Sequence, residues 1–204
     1  MPIIVLHGSE SFLIAERTRE VRAALEQAHG KPDVFAFDGA SVSAAEVLDE
    51  CRSFGLMAGH KLVIVDNAQE FVKEHTRPLL ERYAQAPAEG ATLLLRASRW
   101  FPGNLDKLIV SAGGAVVKCA APDRENEARP WALMFVARRV GKHQAAIEPE
   151  ASEKLYELVG PDLGRLDSEL AKLAVAAALQ AGHAAATKEQ REQRPPVITA
   201  ALVS

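Results

Sequence analysis

The sequence predicts an α/β protein, a five-stranded parallel sheet in three layers followed by a small helical domain. Three observations carry this. Before Pro122 there are five short runs rich in Val, Ile, Leu and Phe, and most are continuous rather than alternating, as in strands covered on both faces. Between successive runs lies a helical pattern with readable ends. Strand and helix therefore alternate, which makes the strands parallel, and right-handed crossovers place helices on both faces. Beyond Pro122 the apolar residues recur only at helical spacing.

The elements follow in order. Ile3–Leu6 is the first strand; the chain turns at Gly8 into a helix that runs to about His29, with Gly30 as its C-terminal stop. Val34–Phe37 is the second strand. Ser43 and Glu46 stand at capping-box spacing and open the next helix, through AAEVLDEC. Leu62–Val65 is the third strand. Thr76 can cap the helix after it, with Pro78 tolerated in the first turn and Leu79, Leu80 and Tyr83 supplying an apolar side. Thr92–Leu95 is the fourth strand. Asn104 begins a short helix closed by Gly113 and Gly114, and Ala115–Lys118 is the fifth strand. Three amphipathic runs come next: ENEARPWALMFVARRVG, EPEASEKLYELVG and DLGRLDSELAKLAVAAALQAG. In the last, Leu163, Leu166, Leu170, Leu173 and Ala177 define one buried face. The expected organisation is an α/β domain at 1–122 and a helical domain at 123–186. Residues 187–204 form a polar, Pro-containing linker, then the start of a further helix capped by Thr199.

Composition narrows the function. With a net charge of −3 and 25% charged residues, the chain has the profile of a soluble globular protein. It lacks the basic excess that captures DNA through phosphate charge. No apolar run approaches the roughly 18–20 residues that span a bilayer, and no secretory signal is visible. Cys51 and Cys119 are far apart and have no Cys or His at ligand spacing, which fits a reducing cytoplasm better than a zinc site or a disulfide framework.

The stretch VLHGSESFLI has the layout of a phosphate-binding loop but not its chemistry. Such a loop needs a second glycine, a lysine for the outer phosphates and a hydroxyl for magnesium; here those places hold Leu13, Ile14 and Ala15. Glu10 adds a negative charge where phosphate would sit. Asp66 at the end of the third strand is placed like a metal-site acid, but Asn67 beside it is no base. No cofactor, nucleotide or metal is expected. His7, Ser9 and Ser11 form no recognisable nucleophile set, because GxSxG is absent and no acid is placed to orient the histidine.

Taken together, VLHGSESFLI, LMAGHKLVIVDNA, TLLLRAS and LVGPDLGRLDSELAKLA resemble the delta subunit of the bacterial DNA polymerase III clamp loader, over essentially the whole chain. The resemblance implies an AAA+-like α/β domain without a functional phosphate loop, then a helical lid. It implies a non-catalytic subunit of a DNA-directed DNA polymerase holoenzyme, in the cytoplasmic, nucleoid-associated replisome. Its partners would be the sliding clamp (beta) and the delta-prime and tau/gamma loader subunits, with DNA reached only through the assembly. The family's C-terminal collar domain is expected to be missing here.

The resemblance also places an apolar clamp-opening wedge at Leu56 and Met57, with Phe54 close by. The family's usual pair is Leu-Phe, so Met57 is a departure, though an adaptable one. Pattern alone agrees on an unusual segment: Gly55 breaks the helix carrying Val47, Leu48 and Cys51, leaving apolar residues between two glycines. The plainer alternative is that these side chains cap the core under the sheet edge. Two other functions are weighed: a divergent AAA+-type ATPase, and a doubly wound domain binding a small ligand at the strand carboxyl ends. Arg165 lies where AAA+ lids often carry a phosphate-sensing arginine, but with no nucleotide beneath it a helix-surface or inter-domain ion pair is expected. Trp100–Phe101 is expected to pack against the lid, with a partner contact as the alternative.

Overall fold

The computed structural model describes residues 1–53, 59–182 and 195–203. The chain divides into two compact units, Met1–Ala120 and Ala121–Ser204.

The first unit runs β1 (Ile3–His7), α1 (Ser11–His29), β2 (Asp33–Asp38), α2 (Ala44–Arg52), β3 (Lys61–Asp66), α3 (Ala68–Phe71), α4 (Arg77–Gln85), β4 (Ala91–Ala97), α5 (Asn104–Ser111) and β5 (Ala115–Lys118). The strands form one sheet in the order β2-β3-β4-β1-β5, and every pairing is parallel. Register sets Val5 between Leu95 and Val116, and Val63 between Phe35 and Leu93.

Strand alternation then sorts the core into two faces. Ile3, Val5, Val63, Val65, Leu93 and Leu95 pack against α2, α4 and α5 through Val47, Leu48, Leu80, Tyr83, Leu105 and Ile109. On the other face Ile4, Leu6, Leu62, Ile64 and Leu94 meet α1 through Leu25, with Leu13, Ile14 and Val21 at the margin. These are the three expected layers. The outermost strand departs from the expectation of coverage on both faces. β2 has a neighbour on one side only, so Phe37 turns into the core while Val34 is left 41% exposed.

Local signals are realised unevenly. Ser43 and Glu46 form the full capping box. Thr76 does not cap α4. Its hydroxyl instead donates to the Phe71 carbonyl and accepts from the Lys73 amide at 2.9 Å, closing the turn out of α3. The helical turn α3 carries no signal long enough to read. It follows Asn67, which adopts the left-handed conformation (φ 51°) that Asn tolerates better than most residues.

The second unit contains α6 (Glu125–Arg139), a 3-10 turn at Val140–His143, β6 (Ala146–Ile147), α7 (Pro149–Val159), α8 (Leu163–Gln180) and β7 (Val197–Ile198). Asp162 caps α8 by accepting from the Arg165 amide at 2.9 Å. Leu163, Leu166, Leu170 and Ala177 are buried as the periodicity requires, whereas Leu173 is only partly buried and Ala174 beside it takes the core position. Residues 195–203, read from sequence as leading out of the bundle, return to it. β7 pairs with β6 in parallel, Lys154 Nζ donates to the Ala200 carbonyl at 3.0 Å, and Ile198 and Val203 are buried. Thr199 begins a single turn rather than a helix, with the Leu202 amide bonded to its carbonyl at 3.0 Å.

Candidate functional site

Two places on the first unit follow from the sequence reading: the cleft at the carboxyl ends of β1, β3 and β4, and the frame around residues 54–58.

The cleft holds about 590 Å³ and is lined by Gly8, Ser9, Ser11, Asp66, Arg96 and Ser98, among others. Its floor is the β1–α1 turn. Gly8 sits at φ +140°, and a Cβ there would stand 2.1 Å from the Cys119 carbonyl oxygen, so the close approach of β5's exit excludes any side chain. Two of the turn's amides are already taken up. Gly8 N–H donates to the Ala97 carbonyl and Glu10 N–H to the Cys119 carbonyl, each at 3.0 Å. Glu10, expected only to repel phosphate, has a constructive role as well: it caps α1, its carboxylate accepting from the Phe12 amide at 3.3 Å. The chain thus supplies its own anion at the helix N-terminus.

Across the cleft, Arg96 Nε and Nη2 donate to the two Asp66 carboxylate oxygens at 2.6 and 2.7 Å. That fork-on-fork pair neutralises the acid that a metal would need. Asn67 also lines the cleft, and its side-chain amide donates to Asp38 at 3.0 Å. This bond and one from the Ala40 amide hold the Asp38 carboxyl below its ordinary range. Ser9 and Ser11 line the cleft, whereas the His7 ring lies 6.4 Å from Trp100. Burial lowers the pKa of His7, opposed by Asp106 and helped by Lys118. Among the described residues no group of three or more His, Cys, Asp or Glu is arranged to hold a metal ion.

Phe54, Leu56 and Met57 lie outside the described residues. Their frame is described. On the near side α2 ends at Arg52 and the Ser53 amide bonds the Asp49 carbonyl at 2.8 Å. On the far side the Asp33 amide bonds the His60 carbonyl, and the Lys61 amide the Gly90 carbonyl. Lys61 is buried. Its ammonium donates to Glu50 Oε1 at 2.5 Å, Ser53 Oγ at 2.6 Å and the Glu50 carbonyl at 3.3 Å, and lies 5.1 Å from the Phe35 ring centre. His60 Nε2 shares a hydrogen with Thr92 Oγ1 at 2.9 Å, and its ring stacks on His29 at 4.3 Å. Burial lowers the His60 pKa, and the positive charges of His29 and the N-terminus lower it further.

The β4–α5 aromatic pair separates. Trp100 packs against the first unit's own core and donates its indole N–H to Asp106 at 2.9 Å, while Phe101 is 72% exposed. The indole's place within the first unit is set by Asp106, which also accepts from the Gly103 amide. Arg165 is an exposed residue of α8.

Sequence reasoning missed Lys61, Glu50 and Arg96. A faint signal exists for two of them, a lysine at the head of one apolar strand and an arginine near the end of another. Their partners are set by strand order and are invisible locally.

A family model described as DNA polymerase III, delta subunit, matches residues 5–107, about half of the chain. Comparison with curated proteins returns no match. Among solved structures, the Bacillus subtilis DNA clamp loader delta protein aligns with a TM-score of 0.74 at 21% identity, over 100% of this chain and 57% of its own. The chain therefore spans less than two thirds of that relative's length. The Thermotoga maritima RuvB Holliday junction branch migration motor aligns with a TM-score of 0.48 at 13% identity, over 100% of this chain and 60% of its own.

Proposed function

The chain belongs to the DNA polymerase III delta subunit family, and from that premise we propose that it is a non-catalytic clamp-loader subunit that binds and opens the sliding clamp. The observation carrying this reading is the family match over residues 5–107, which runs through the segment holding Phe54, Leu56 and Met57. Leu56 and Met57 act as the wedge, and Phe54 supports them. Burying two such side chains in a pocket of the clamp is worth roughly 3–6 kcal/mol, at about 1.5–3 each. That corresponds to an affinity change on the order of a hundredfold to ten-thousandfold. The mechanism is mechanical: burial favours an open clamp interface over a closed one, and the equilibrium shifts by the difference in binding between the two states.

The first unit carries the clamp contact and the second is the lid. Delta-prime and tau/gamma are the sibling subunits, and ATP acts through them. The Glu10 cap and the Asp66–Arg96 pair support a subunit without an ATPase site of its own, since both occupy positions a nucleotide and its metal would use. The setting is the cytoplasmic replisome, and DNA is reached through the assembly. No helix of the described residues is long and apolar enough to cross a membrane.

The test is surface binding of the chain to its cognate sliding clamp beside the Leu56→Ala/Met57→Ala variant. The expected loss exceeds about 2 kcal/mol, a threshold set below the full burial estimate to allow for incomplete burial on docking. Equal binding by both proteins would place the wedge elsewhere; no binding by either would leave the family fold without this function.

A further inference from the structure

We propose that Lys61 is a positioning residue for clamp binding, whose ammonium holds together the two ends of the segment that carries the wedge. The inference rests on the reading of Leu56 and Met57 as that wedge. Ser53 is the last described residue before the segment and Gly59 the first after it. Lys61 joins the two sides: its backbone begins β3, and its Nζ bonds Ser53 Oγ at 2.6 Å and both the side chain and the carbonyl of Glu50. Ser53 Oγ in turn bonds the Glu50 carbonyl at 3.1 Å, so the three residues form one closed set. The intervening chain leaves and re-enters the fold at points fixed by a side-chain bridge.

Stability is a poor reason for this arrangement. Every other residue of β3 as far as Val65 is a buried aliphatic, and an apolar side chain at 61 would extend the same core. Bringing an ammonium into that position carries a desolvation cost, and buried ion pairs are often replaceable by apolar residues without loss. What such a pair provides is direction. Three acceptors at α2's end and the Phe35 ring fix Nζ at a single point, a directional constraint that apolar contact does not impose. The carbonyl bond also places a cation at the C-terminal end of α2, where the helix dipole favours it. A wedge presented from fixed ends surrenders less conformational entropy when it docks.

The experiment measures binding of the cognate sliding clamp to four proteins: the native chain, Lys61→Met, Leu56→Ala/Met57→Ala, and the triple variant. Affinities are corrected for folded fraction by circular dichroism. Lys61→Met is expected to weaken binding about tenfold, as if on the order of one more residue had to be ordered on docking. In the background lacking the wedge it is expected to add less than about twofold, because nothing remains to be positioned. A general loss of structure, or a separate clamp contact through Lys61, would lower binding by the same factor in both backgrounds, and that result overturns the proposal. Native-like binding by Lys61→Met overturns it while leaving the wedge intact. Failure of the wedge reading is told apart, because Leu56→Ala/Met57→Ala would then bind like the native chain. If Lys61→Met does not fold, Ser53→Ala removes one leg of the bridge. It is expected to weaken binding about threefold in the native background alone, and an unchanged affinity there overturns the proposal.

Discussion

At the scale of single residues, Gly8 decides what the β1–α1 turn can be. Its φ of +140° and the Cys119 oxygen 2.1 Å from any added Cβ combine backbone strain with a collision against main chain, which cannot rotate away. Gly8→Ala is expected to cost about 3 kcal/mol or more, read as a lowered urea midpoint. A change under 1 kcal/mol, as is usual for surface sites, would mean the turn has another conformation. The two cysteines allow a second check. Burial pushes the Cys51 thiol up to about 11 and raises that of Cys119, and both are buried. The thiolate is the reactive form. Ellman's reagent at pH 8 is therefore expected to leave both unmodified in the folded chain and to titrate both in denaturant. Rapid modification of either one in the native chain would show local opening around α2 or the β5 exit.

At the scale of elements, α8 is held by charge as well as by its apolar stripe. Asp167 accepts from Arg139 at 2.5 and 2.9 Å and from His143 at 2.7 Å, joining α8 to the end of α6 and the turn after it. Burial raises the Asp167 pKa, but these hydrogen bonds and the nearby charges outweigh it and hold the carboxyl below its ordinary value. A depressed pKa adds stability that is fully present above the unfolded value of about 3.9 and is lost as pH falls through the lower folded one. The stability gap between the native chain and Asp167→Asn should therefore be wide at pH 6 and shrink below about pH 4, measured by urea unfolding. A gap that does not change with pH would show that folding leaves the Asp167 pKa unshifted. The short strand β7 makes its own claim. Ile198 is 0% and Val203 2% exposed, so removing residues 195–204 should destabilise the second unit by roughly 3–6 kcal/mol, an upper bound because unfolded chains already bury some surface. A truncated chain with unchanged melting would mean these residues rest on the bundle without holding it.

At the scale of the whole molecule, the sheet's carboxyl edge is where the proposed non-catalytic subunit and a nucleotide-dependent ATPase would differ. Glu10 sets its own carboxylate at the N-terminus of α1, and Arg96 pairs Asp66, so the cleft presents an acid at the helix start and a neutralised one at the end of β3. Isothermal titration with ATP and magnesium is expected to show no saturable binding below about millimolar, weaker than roughly −4.1 kcal/mol. Micromolar binding would return the chain to the nucleotide-dependent AAA+ proteins. Much of this fold was legible beforehand. The runs at β1, β3 and β4 read as buried parallel strands because central strands of such a sheet meet apolar layers on both sides, and the Ser43–Glu46 box and the Gly30 stop are contacts within one helical turn. The missing lysine at position 14 was legible too, since it is a matter of residue type alone. What neighbours in sequence could not reveal is which distant groups meet. Asp66 finds Arg96 because β3 lies beside β4, Lys61 finds Glu50 because α2 packs on β3, and β7 finds β6 across the whole of α7 and α8. The sequence by itself determined the elements, the parallel sheet and the loss of the phosphate loop, all of which depend on composition and on spacings of a few residues. Only the tertiary structure decided how the cleft at the strand ends is filled and which residues frame the segment at 54–58, because both depend on strand order, which brings together residues that carry no signal of one another along the chain.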